Sequence, residues 1–235
     1  MNGMTRRFLR FVPLIALLGA GTPAVAEFQG FSTKSTLFGD TTIGNTSTVV
    51  RTVTGTVNDD TRVLRFADDL YHNELITTEA ESAAEIIFLD ESTLSLGPES
   101  SIVLDEFVYD PDPSTSSFVV TITQGALRFT SGVLPDEAYK IRTPVATIGV
   151  RGTIIDVVVD RETLRDGTTY PSVKLSVIEG EADLINCEGE LTLVPTNMSS
   201  TVKGSSAGCS EASEPGLHPL DVTEVLRTRD ELLPE

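Results

Sequence analysis

Apolar residues along most of this chain come in short runs, β-branched or alternating with polar ones, and each run stops at Asp, Asn, Gly or Pro. Residues 49–57 are mostly β-branched and end at Asn58, Asp59 and Asp60, which predicts a strand closed by a turn. The same pattern predicts strands over 61–66, 74–78, 85–89, 93–96, 101–104, 117–123, 126–129, 139–142, 153–159, 173–178, 182–185 and 191–194. Alternation within a run means one wet face and one packed face. Short strands at regular spacing, with turn residues between them, predict an all-β fold.

Three segments echo one another. Gln124-Gly125, Arg151-Gly152 and Glu179-Gly180 each place a glycine before a new run of strand residues. Glycine relieves the clash where a chain bends or meets another backbone closely, so these positions read as corners joining one layer to another. The expected architecture is a multi-stranded two-sheet or solenoid-like β domain over residues 48–204. Residues 27–47, rich in Thr, Ser and Gly, read as a flexible arm contributing at most one strand. Residues 205–235 read as a polar linker and a short C-terminal helix, capped by Asp221, with Val222, Val225, Leu226 and Leu232 along one stripe.

The first 26 residues have a different character. Arg6, Arg7 and Arg10 precede an uncharged run over residues 11–20, and Ala24-Val25-Ala26 follows. That is the order of a secretory signal, with cleavage expected after Ala26. The apolar run is too short for a membrane span, which needs about 20 apolar residues. No other stretch reaches that length, so the mature chain is expected to carry no membrane anchor and to be periplasmic or secreted. Thr5-Arg6-Arg7 departs from the twin-arginine spacing, which favours the general secretory route. Cleavage removes three arginines and no acid, taking the net charge from −18 to −21. Such a surface repels phosphate backbones and anionic lipid, and it suits a soluble protein or one that meets basic partners. In an oxidising compartment Cys187 and Cys209, the only two cysteines, are expected to form a disulfide.

Residues 141–157 read Ile-Arg-Thr-Pro-Val-Ala-Thr-Ile-Gly-Val-Arg-Gly-Thr-Ile-Ile-Asp-Val. This stretch resembles the FecR family. So do residues 75–97, with Asp90, Ser92 and Thr93 in a predicted hydrogen-bonded turn, and so do residues 123–129 and 177–184. The resemblance covers residues 48–204. It implies an all-β extracytoplasmic domain that relays or scaffolds protein interactions, as in the family's membrane-spanning sigma-factor regulators. The motif also makes physical sense alone. Pro144 fixes its own backbone and pushes Thr143 toward an extended shape. Gly149 and Gly152 flank Val150 and Arg151, allowing a tight corner before Thr153 opens the next strand. An arginine inside such a corner needs carboxylate or carbonyl partners. Arg151 therefore reads as a structural clamp, with a ligand-facing arginine as the other reading.

Little in the sequence offers catalysis. His72 and His218 are the only histidines, and there is no Gly-x-Ser-x-Gly elbow, phosphate loop, dinucleotide fingerprint or His-Glu-x-x-His motif. With 35 acidic residues, a pair of carboxylates carries no specificity for glycoside hydrolysis. Asp59-Asp60 and Asp110 to Pro113 lack the ligand spacing of a calcium loop. The expectation is a non-enzymatic protein without cofactor or metal. Its expected partner is another envelope protein; cell-wall or surface polysaccharide is the alternative, although Trp is absent.

Overall fold

The computed structural model describes residues 41–110, 115–163, 165–204 and 217–219. Among them lie β1 (Thr42–Val50), β2 (Val53–Val57), β3 (Asp60–Val63), β4 (Asp69–Tyr71), β5 (Leu75–Thr78), β6 (Ala83–Phe88), β7 (Thr93–Leu96) and β8 (Ser101–Val108). There follow β9 (Ser117–Thr130), a 3-10 turn (Asp136–Ala138), β10 (Tyr139–Arg142), β11 (Ala146–Thr163), β12 (Thr169–Asn186), β13 (Leu191–Pro195), β14 (Met198–Lys203) and β15 (Leu217–Pro219). All of them join one continuous sheet, mixed because β9 and β10 run parallel. Among the described residues no helix is long and apolar enough to cross a membrane.

The three long strands explain how one sheet makes two layers. The first half of β9 pairs with β8 and β10, and its second half pairs with β7 and β11. Likewise β11 pairs with β10 near its start and with β9 from Ile154 onward, while β12 passes from β14 to β13. One layer therefore holds β3, β2, β5, β8, β10 and β13; the other holds β4, β1, β6, β7, β14 and β15; and β9, β11 and β12 belong to both. The bend in β9 is severe. In a straight strand Phe118 and Phe129 would lie about 35 Å apart, yet their rings are 5.1 Å apart. Between the layers sits one core, in which Phe88 of β6 packs at 4.8 Å from Phe118 and 5.9 Å from Phe107 of β8.

Each crossing strand bends at one of the expected corner glycines. Gly125, Gly152 and Gly180 have φ of +92°, +53° and +80°, in the left-handed region that a β-carbon disfavours. At Gly152 the backbone also carries a bulge: Arg151 lies opposite Glu181, but Ile154 lies opposite Glu179. The glycines differ from expectation in one respect. They sit within continuous strands and do not open new ones, because the neighbours on either side of the bend belong to different layers.

Other boundaries shift for local reasons. The run over 49–57 is broken at Arg51, whose φ is +57°, and Thr52 donates its N–H to Ser82 Oγ at 3.2 Å. Strand β1 begins at Thr42, so the first strand takes up the end of the expected arm. The solenoid form of the expectation is replaced by a folded-over sheet, and the expected helix over 222–233 lies outside the described residues.

One ion pair supports the first layer. Glu74 is fully buried, takes Arg62 Nη2 at 2.9 and 3.2 Å on its two oxygens, and accepts the Tyr71 N–H at 2.9 Å. Burial raises the Glu74 pKa above its ordinary 4.5, and Arg62 only partly opposes that. A carboxylate with a raised folded-state pKa contributes most below its unfolded pKa and loses that contribution as pH rises through the folded one. Glu74→Gln does not titrate. The parent is therefore expected to lose stability relative to this variant as pH rises above 4.5, in urea melts taken from acid to neutral pH.

Candidate protein-interaction face

The motif residues alternate across the sheet. Ile148 and Val150 are fully buried in the core, whereas Thr147, Gly149 and Arg151 point outward. Register extends this outer face over four strands. Lys140 of β10, Gly149 of β11, Asp183 of β12 and Leu193 of β13 form one row. Arg142, Thr147, Ile185 and Leu191 form the next, and Arg151, Glu181 and Pro195 a third.

Two turns hold this face in place. Between β10 and β11, Thr143 donates its N–H to the Ala146 carbonyl at 2.9 Å, and its Oγ1 bonds the Ala146 carbonyl and N–H at 2.8 and 2.9 Å. Pro144 sits exposed at the tip of that turn, while Val145 is buried. After the bulge, the Thr153 N–H donates to Ser131 Oγ at 2.9 Å, and the Ser131 N–H donates to the Thr153 carbonyl at 3.1 Å.

Arg151 is not the buried residue that a crowded corner suggested. Its side chain is 54% exposed and bonds Asp183 through Nε at 3.0 Å and through Nη2. Asp183, with Glu181 and Glu137 nearby, holds its pKa above the ordinary arginine value. The corner is crowded at Gly180 instead, whose β-carbon would lie 2.5 Å from the Gly152 carbonyl oxygen. An exposed ion pair contributes little to stability, so Arg151→Ala is expected to melt close to the parent in a thermal scan. Gly149 also departs from expectation. Its φ is ordinary, and an added β-carbon would touch only Asp183, at 3.5 Å. Its bare backbone floors a cleft of about 260 Å³, walled by Lys140, Arg151, Asp183, Ile185 and the 3-10 turn at Asp136 and Glu137.

Beneath this face lies a buried polar network. Asp90 accepts the Ser92 N–H at 3.2 Å and the Ser92 hydroxyl at 2.6 Å on Oδ1, and the Tyr139 hydroxyl at 2.7 Å on Oδ2. Tyr139 in turn accepts the N–H groups of Gly132 and Leu134 at 2.9 and 3.0 Å. Burial, and then the neighbouring Asp90, push the Tyr139 phenol well above its usual pKa, so it remains a proton donor. The expected Asp90–Ser92 turn is present, and its partner Tyr139 comes from 49 residues away. On the opposite layer Arg128 binds Asp156 with two parallel bonds at 2.7 and 2.8 Å. A second cleft of about 570 Å³ lies at the Gly125 corner, between Pro98 and Arg161. Among the described residues no group of His, Cys, Asp and Glu is placed to hold a metal ion.

The arrangement of motif, Asp-x-Ser turn and glycine corners coincides with a family match. Residues 74–183 match the family model described as FecR protein. That stretch is recognised as a FecR domain. The matched stretch begins at the buried Glu74 and ends at Asp183, the carboxylate that holds Arg151, so it includes the whole of the bent strands β9 and β11. Two crystal structures of a candidate anti-sigma factor from Parabacteroides distasonis ATCC 8503 are similar, at 17% and 15% identity and a TM-score of 0.45 each. The likeness covers 65% of this chain and 62% of that one, so the chain spans less than two thirds of that protein's length. No curated protein matches.

Sequence reasoning placed Thr143 to Thr153 together but missed Asp183, Lys140 and the leucines of β13. Alternation alone shows that Thr147, Gly149 and Arg151 share a face. Which residues of β12 and β13 lie beside them depends on register, and that is set by the bulge at Gly152. Cys187 is half-buried just after β12, and Cys209 lies outside the described residues.

Proposed function

We propose that this chain is a non-enzymatic protein-interaction module of the bacterial cell envelope, relaying or scaffolding contacts outside the cytoplasm. The observation that carries the reading is the FecR match over residues 74–183. The outer face of β10 to β13 supports it, since Thr147, Gly149 and Arg151 of the motif open onto solvent there and are not spent on the core. No finding favours the polysaccharide alternative.

Export rests on the charged, apolar and Ala-x-Ala order of residues 1–26. The mature protein is expected to begin at Glu27 and to appear in the periplasmic or secreted fraction; N-terminal sequencing checks this. We also propose the Cys187–Cys209 disulfide. It ties the segment after β14 back to the β12–β13 turn, and is expected to add on the order of 3 kcal/mol by closing the loop. Alkylation without reductant should label neither thiol, and labelling of both in exported protein rules the bridge out.

The test of function is affinity capture from envelope extract with the mature protein as bait. Specific retention of an envelope protein, reproduced by cross-linking in cells, is the expected result. Retention of glycan alone, or turnover of a cell-wall substrate, would overturn the reading.

A further inference from the structure

Among the described residues the sheet ends on four strands, each paired on one side: β3, β4, β13 and β15. An unpaired strand edge is a template for another chain, and proteins blunt such edges with charge, proline or shortness. Three of the four are blunted. Strand β3 carries Asp60 and Arg62, β4 is three residues long and opens on Asp69, and β15 is three residues long and ends on Pro219. Strand β13 differs. It runs five residues, Leu-Thr-Leu-Val-Pro, without a charge, and proline comes only at its end. On its outer side Leu191 and Leu193 are 61% and 47% exposed, and Ile185 beside them is 38% exposed.

The surroundings of this apolar strip are acidic. Glu188 and Glu190 stand exposed just before β13, and Glu181 stands opposite Pro195. Among the described residues none of these three is ion-paired; of the cations on the face, Arg151 is committed to Asp183, and Lys140 and Arg142 lie on β10, three strands away from β13. A net charge of −18 weighs against a second copy of the chain as the occupant. An apolar strip with an acidic rim fits an extended segment whose apolar residues alternate with polar ones and whose flanks carry Lys or Arg.

We propose that β13 is a strand-addition site: a basic, extended segment of a partner protein pairs with its open edge and lays apolar side chains against Leu191 and Leu193. The proposal rests on the interaction reading above and names the surface that serves it. The strand lies beyond the residues that match the family model.

The test uses a fluorescent synthetic peptide in which valine alternates with threonine between lysine flanks, and a twin peptide with glutamate flanks. Fluorescence anisotropy with the full mature protein should show salt-sensitive binding of the lysine peptide. Binding should weaken by about tenfold or more, equivalent to about 1.4 kcal/mol, for the glutamate peptide, for Leu193→Lys and for Glu188→Lys. Both substituted residues are exposed, so both variants should melt with the parent. Absence of binding, equal binding of the two peptides, or full binding by Leu193→Lys would each overturn the proposal. So would a parent dimer that Leu193→Lys dissolves, since the occupant would then be a second copy. Capture from envelope extract separates this inference from the broader reading. If parent and Leu193→Lys baits retain the same protein, the edge proposal fails and the interaction reading stands. If neither bait retains a protein, the interaction reading fails.

Discussion

Asp90→Ala is expected to lower the unfolding free energy by about 3 kcal/mol or more, and to reduce soluble yield at growth temperature. The residue is fully buried and accepts three hydrogen bonds, two from Ser92 and one from Tyr139. Truncation leaves three donors in the interior without an acceptor, and each stranded donor costs about 1–3 kcal/mol. The Tyr139 hydroxyl also receives the N–H groups of Gly132 and Leu134, so a shift of its ring loosens the segment after β9 as well. The ring itself packs at 5.6 Å from Phe118 and 5.4 Å from Phe129, coupling the polar network to the aromatic core. Tyr139→Phe keeps that packing and removes only the hydroxyl, so it should cost less than Asp90→Ala. Because both variants act on one network, the double variant should be less destabilised than the sum of the two. Urea unfolding of the three variants beside the parent measures all of this. Additive losses would mean that the two side chains act independently.

The sequence made the strands legible where local chemistry decides them. The turn at Asp90 to Ser92 is written in residues that bond their own backbone, and the run before it and the run after it are β6 and β7. The three glycine corners were legible for a related reason, since a left-handed backbone conformation leaves its mark on residue choice. What lay beyond reach was long-range. The break at Arg51 depends on a serine hydroxyl 30 residues away, and nothing in the run of β-branched residues marks it. That β9, β11 and β12 are each one strand shared by two layers follows from which neighbours line up on either side of each bend. The same ambiguity governs the motif. A glycine–arginine–glycine cluster signals a special backbone but not which residue carries the constraint. Arg151 is the charged group of the cluster, while the steric burden falls on Gly180, 29 residues later and packed against the β11 bulge at Gly152 and Thr153.

That division of labour gives the second large effect. Gly180→Ala is expected to destabilise the fold by about 2–5 kcal/mol, from a left-handed backbone that costs about 1–2 kcal/mol and overpacking that costs about 1–3 kcal/mol. Its φ is +80°, and the new β-carbon would lie 2.5 Å from the Gly152 carbonyl oxygen and 2.6 Å from Thr153 Cγ2. Neither neighbour yields easily: one is backbone at the β11 bulge, and the other belongs to a buried threonine whose N–H is held by Ser131. Gly149→Ala is the matched control. It adds the same atom to the same motif face, but at an ordinary φ and with the nearest neighbour, the Asp183 β-carbon, at 3.5 Å. Its melting temperature should stay close to the parent's, while the added methyl begins to fill the cleft that the bare glycine leaves open. Thermal melts of the two alanine variants therefore separate the glycine that makes the corner from the glycine that shapes the surface. If Gly149→Ala proved as destabilising as Gly180→Ala, both glycines would serve the backbone, and the outer face would lose its claim as the working surface of the motif.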